Sequence, residues 1–145
     1  MKYASVICLM ITLSISAYAK ITVNKSIRID ADERYSGSCT TVNGSIDISE
    51  GAEVRGGCNT VNGRIHVSEN CRVRGLKTVN GSIRVGDNTE VENDVESVNG
   101  SIKCQKGVVV RGSVETVNGS VDLEGTEIEY DIETYNGSIT LKENS

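Results

Sequence analysis

The chain has 145 residues, with 20 acidic against 15 basic side chains, 15 Gly, and no Pro, Trp or Phe. An acidic chain with scattered Lys and Arg lacks the cationic footprint that phosphate neutralisation requires, which excludes a nucleic-acid partner. Its length makes one ordinary domain with one core, and abundant Gly among recurring Val and Ile suits many short strands joined by glycine turns.

Residues 1–19 read as a signal peptide. Lys2 supplies a short positive region, Ala4 to Ile15 an apolar run, and Ala17-Tyr18-Ala19 a small-x-small cleavage site. The run is too short to span a bilayer, and no later stretch stays apolar for the roughly 18 residues a spanning helix needs, so no transmembrane segment is expected. Cys8 lies inside the apolar run, without the small residues that precede a lipid-attachment cysteine. The expectation is an exported chain, periplasmic or secreted. Its mature part, 20–145, keeps 14 basic against 20 acidic residues, a net charge of −6.

From residue 20 onward the sequence repeats. A degenerate copy, Thr22-Val23-Asn24-Lys25-Ser26-Ile27, is followed by Thr41-Val42-Asn43-Gly44-Ser45-Ile46 and Thr60-Val61-Asn62-Gly63-Arg64-Ile65. The series continues through Thr78 to Ile83, Ser97 to Ile102, Thr116 to Val121 and Thr134 to Ile139. Successive Asn residues are spaced 19, 19, 18, 19, 19 and 18 apart, a fixed period of the kind that marks a solenoid.

Other apolar positions keep the same phase. Three residues past each Asn stand Ile27, Ile46, Ile65, Ile83, Ile102, Val121 and Ile139, and two further on Ile29, Ile48, Val67, Val85, Cys104, Leu123 and Leu141. This alternation predicts a strand. A second strand is predicted around Val54, Val73, Val91, Val110 and Ile128, and a third begins at Cys39, Cys58, Leu76, Val95, Val114 and Ile132. Three short strands per turn predict an all-β, single-stranded parallel β-helix: a three-sided solenoid of 18 or 19 residues per coil and about six to seven coils over 20–145. The absence of a six-residue subrepeat favours the right-handed form.

The Asn-Gly pair is expected to form a corner, with Gly supplying a positive φ. If the amides point inward, Asn24, Asn43, Asn62, Asn80, Asn99, Asn118 and Asn136 can form a hydrogen-bonded ladder. Six of the seven triplets also satisfy the N-glycosylation rule, but Asn62-Gly63-Arg64 does not, and a structural corner accounts for all seven. The neighbouring columns conflict. Alternation places Thr inside and Val42, Val61, Val79, Val98, Val117 and Tyr135 outside, whereas burial preference places Val inside. An outward Val column would be a candidate interaction stripe.

Cys39 and Cys58 share a slot on adjacent coils, and stacking at about 5 Å predicts a disulfide between them. Cys71 and Cys104 lie in different slots and are expected to be buried thiols. The single His66 shares an outward column with Arg28, Asp47, Arg84, Lys103, Asp122 and Thr140, read as a solvent-facing charge ladder. One His without a Cys pair at zinc spacing gives no metal centre. The acidic run from Asp87 to Glu96 lacks the glycine-aspartate nonapeptide of calcium-loaded rolls. No cofactor and no catalytic site is predicted, since enzymes on such helices build clefts from long loops.

The pattern Val114-Glu115-Thr116-Val117-Asn118-Gly119-Ser120-Val121, with Val95 to Ile102 similar, resembles the bacterial adhesin-type β-solenoids called the DUF4097 or auto-transporter-adhesin head-domain type. A more distant likeness is to the bactofilins, polymer-forming three-sided helices that are typically cytosolic. The resemblance implies a non-enzymatic structural or adhesin-like protein of the cell envelope, acting by surface binding or self-association. Two alternatives are an ice-binding solenoid, which needs outward Thr and Asn on one flat face, and a polysaccharide-binding or polysaccharide-active β-helix.

Overall fold

The computed structural model describes residues 20–143, so the signal segment read at 1–19 lies outside the described residues. The described residues are all-β, with eighteen parallel-paired strands and no helix. They wind into about six turns of three strand segments each, because each coil holds the same polar and apolar slots in the same order.

One face is a seven-stranded sheet made of Ile27–Ile29, Ile46–Ile48, Ile65–Val67, Ile83–Val85, Ile102–Cys104, Val121–Glu124 and Ile139–Lys142. Its register sets Ile27 beside Ile46, then Ile65, Ile83, Ile102, Val121 and Ile139. We call it the isoleucine face. The other two faces form one eleven-stranded sheet, since Glu53–Asn62 and Arg72–Asn80 run unbroken around the bend between them. The coil that is one residue shorter is absorbed there, where the register shifts between Val54 and Gly57.

The core is the interior of this coil. Ile29, Ile46, Ile65, Val67, Val73, Leu76, Ile83, Val85 and Ile102 are all buried, each in line with its counterpart one turn away. Burying each such side chain contributes about 1.5–3 kcal/mol, and no single coil could do so alone.

The left-handed backbone positions correct the expectation for the Asn-Gly corner. Positive φ falls at Asp32, Gly51, Asn70, Asn88, Gly107 and Gly125, the turn that leaves the isoleucine face, and not at the Asn-Gly pairs. Gly, Asn and Asp are the residues that tolerate that region. The glycine after each Asn serves close approach instead. A Cβ on Gly63, Gly81, Gly100, Gly119 or Gly137 would collide with the carbonyl oxygen of the corresponding glycine one coil earlier.

Candidate functional site

The Thr-Val-Asn-Gly segment settles its own ambiguity through hydrogen bonding. Thr41, Thr60, Thr78, Ser97 and Thr116 point inward and are buried. A hydroxyl inside a core needs an acceptor. Each finds the corner carbonyl of the preceding coil: Thr60 Oγ1 donates to Gly44 O at 3.0 Å, Thr78 to Gly63 at 3.1 Å, Thr116 to Gly100 at 3.2 Å and Thr134 to Gly119 at 3.2 Å. Alternation therefore prevails over apolarity, because the neighbouring glycine leaves its carbonyl within reach of a Thr but would offer a Val nothing. The outward Thr array required for ice binding is not presented.

The Val column faces outward. Val23 and Val42 are exposed, Val61, Val79, Val98 and Val117 are half-buried, and Tyr135 is 71% exposed. Beside it the Asn side chains form a ladder on the outer surface, not the inner one. Each Nδ2 donates to the Oδ1 one coil earlier, from Asn43 to Asn24 at 3.0 Å through Asn62, Asn80, Asn99 and Asn118 to Asn136 at 3.0 Å. The chain turns at Asn, so the side chain leaves on the same side as the preceding Val.

The expected Cys39–Cys58 disulfide is absent, and both residues are buried free thiols. In-register parallel neighbours are displaced by one strand spacing, about 4.8 Å, with side chains side by side. A disulfide holds its Cβ atoms nearer, at about 3.5–4.5 Å. The two thiols instead hydrogen-bond, and this bond with burial pushes Cys58 well above the ordinary thiol range. Cys71 and Cys104 are buried as read, and burial pushes Cys104 up to about 12.

Charge is arranged differently on the two outer faces. Around Val91 the cations are neutralised: Glu90 receives Arg111 Nε at 2.7 Å and Arg72 at 3.1 Å, while Arg111 also meets Glu129 at 3.2 Å. These guanidinium contacts, Arg111 first, hold the Glu90 carboxyl below its ordinary range. On the isoleucine face the column of His66 is less balanced: His66 is registered against Arg84, and Arg84 against Lys103. A shallow hollow between them is lined by Arg64, His66, Ser82 and Arg84.

Among the described residues no group of three or more His, Cys, Asp or Glu is placed to hold a metal ion. No helix among them is long and apolar enough to cross a membrane. Sequence reasoning missed the positive-φ column, whose signal is the run of Asp, Gly, Asn, Asn, Gly and Gly seven or eight residues past the first six Asn of the column. No family model, curated protein or solved structure matches this chain.

Proposed function

We propose that the protein is an exported, non-enzymatic structural or adhesin-like solenoid of the bacterial cell envelope, acting through its repetitive surface and by self-association. The observation that carries this reading is the difference between its two ends. In the first coil, Lys20 and Tyr35 occupy the slots that hold Cys39 and Val54 one turn later. Lys20 Nζ sits 3.9 Å from Glu33 and 4.7 Å from the centre of the Tyr35 ring. In the same coil Ile27 and Ile29 are 4% and 0% exposed.

The last described coil is open. Ile139 and Leu141, in the same two columns, are 40% and 64% exposed, and Tyr135 projects beside them. An uncovered strand edge carrying core side chains is a template for another strand. The repeat's resemblance to adhesin-type solenoids supports the envelope assignment, and the shallowness of the outer hollows supports a binding rather than a catalytic role.

Light scattering across a concentration series, with electron microscopy of the same samples, tests self-association. A defined oligomer or filament is expected, with Leu141→Lys monomeric at every concentration. A wild-type protein that stays monomeric at high concentration would sink the reading.

A further inference from the structure

The isoleucine face carries an unneutralised basic patch on three consecutive coils. Its outward positions there are Arg64, His66 and Ser68, then Ser82, Arg84 and Gly86, then Ser101, Lys103 and Gln105. None is acidic. Arg64, His66 and Arg84 are exposed and Lys103 is half-buried. Among the described residues, Arg64, Arg84 and Lys103 make no ion pair, whereas Arg72 and Arg111 on the neighbouring face are paired with Glu90.

Stacking makes this arrangement costly. Register sets Arg84 directly beside Lys103, and like charges opposed across strands destabilise a sheet. The protein is acidic overall, and Asp47 and Asp122 bound the patch at its two ends, so acidic residues are available in the same column yet absent from its centre. An anion laid along the column would relieve the repulsion.

We propose that this patch binds a linear anionic polysaccharide, its carboxylate or sulfate groups meeting Arg84 and Lys103, in register one strand spacing of about 4.8 Å apart, and Arg64 diagonally across on the preceding coil. The inference deepens the envelope reading above and rests on it. Ser82 and Ser101 border the cations with donors and acceptors suited to sugar hydroxyls. No Tyr, Trp or Phe lies within the patch to stack a nucleobase. Glu50, Glu69 and Asp87 share a hollow with His66, Ser68 and Gln105 at one border of the patch, which confines the anion site to the side of Arg64, Arg84 and Lys103 away from it. A flat anionic membrane would meet those acids, whereas a single chain lying along the coils passes beside them.

Binding of the mature protein to immobilised polygalacturonate and dextran sulfate, with neutral dextran as control, is the test. Both charged polymers are expected to bind with a steep loss on adding salt, and dextran is not. Arg84→Glu should weaken binding roughly tenfold or more, and Arg64→Gln and Lys103→Gln severalfold each. Thermal unfolding of Arg84→Glu should show an unchanged or raised midpoint, since it replaces the like-charged neighbour of Lys103 by an acid. Arg84→Glu binding as well as wild type, or no binding by wild type, overturns the inference. Equal binding to phosphatidylglycerol vesicles or single-stranded DNA overturns the polysaccharide assignment. Light scattering of the same samples separates the two readings: a wild-type protein that assembles but binds neither charged polymer refutes this site and leaves self-association standing.

Discussion

Within one turn, Thr78, Val79, Asn80 and Gly81 divide four tasks among four adjacent residues. Thr78 bonds the previous coil from inside, Asn80 bonds it from outside, Gly81 lets the backbones approach, and Val79 faces out. Gly81→Ala is expected to cost about 3 kcal/mol or more, because its Cβ meets the Gly63 carbonyl and neither backbone can yield without moving a stack of coils. Thr78→Val adds apolarity where burial is complete, yet should destabilise by about 1–2 kcal/mol by leaving the Gly63 carbonyl short of its donor. Chemical denaturation of both variants checks the pair, and a Thr78→Val protein as stable as wild type would refute the hydroxyl's role. The inward Thr was only half legible in the sequence: period-2 counting gave it, and side-chain hydropathy opposed it. What decides between them is an acceptor one coil away, which a linear reading does not display.

The buried thiols act at the same scale. Burial raises the folded-state value of Cys104 to about 12, while an unfolded thiol titrates near 8.5. The unfolded chain therefore loses this proton first, so the stability is fully present below about pH 8.5 and declines as pH rises toward about 12. Cys104→Val should flatten that alkaline decline in a pH series of denaturation midpoints while changing the neutral value little. Denatured without reductant, the four described cysteines should all react with a thiol reagent, and two reactive thiols would reinstate the Cys39–Cys58 bridge.

At the level of the strand and the coil, almost everything was legible, because the period is read directly from sequence and the stacking then follows from pairing like with like. The seven-stranded face follows from its two apolar columns alone. The positions of positive φ could not, since Asn-Gly is the stronger turn signal and drew attention from the looser Asp/Gly/Asn column. If the coil is the unit, removing one should preserve the rest. Deleting Gly100 to Asn118 joins Asn99 to Gly119 and keeps every column in phase. The product should remain a β-solenoid by circular dichroism, with a lower unfolding midpoint, since stability in a stack is close to a sum over units and their interfaces. Removing only residues 100–108 shifts inward positions out of phase and should abolish folding.

For the whole molecule, the decisive asymmetry lies along the axis. Central coils bury their apolar columns, the first described coil keeps Ile27 and Ile29 buried, and the last described coil leaves Ile139 and Leu141 exposed. Local opening free energies follow the same order, so amide hydrogen exchange should be slowest around Val67, Ile83 and Val85 and fastest in Ile132 to Lys142. The self-association proposed for this end would add a concentration term that intrachain packing does not have. Protection of Ile139 to Lys142 should then rise with protein concentration while that of the central strands stays constant. Should scattering report assembly while those amides exchange as fast as in the monomer, the contact lies elsewhere, and the outward column from Val42 to Tyr135, beside its ladder of Asn side chains, becomes the surface to mutate.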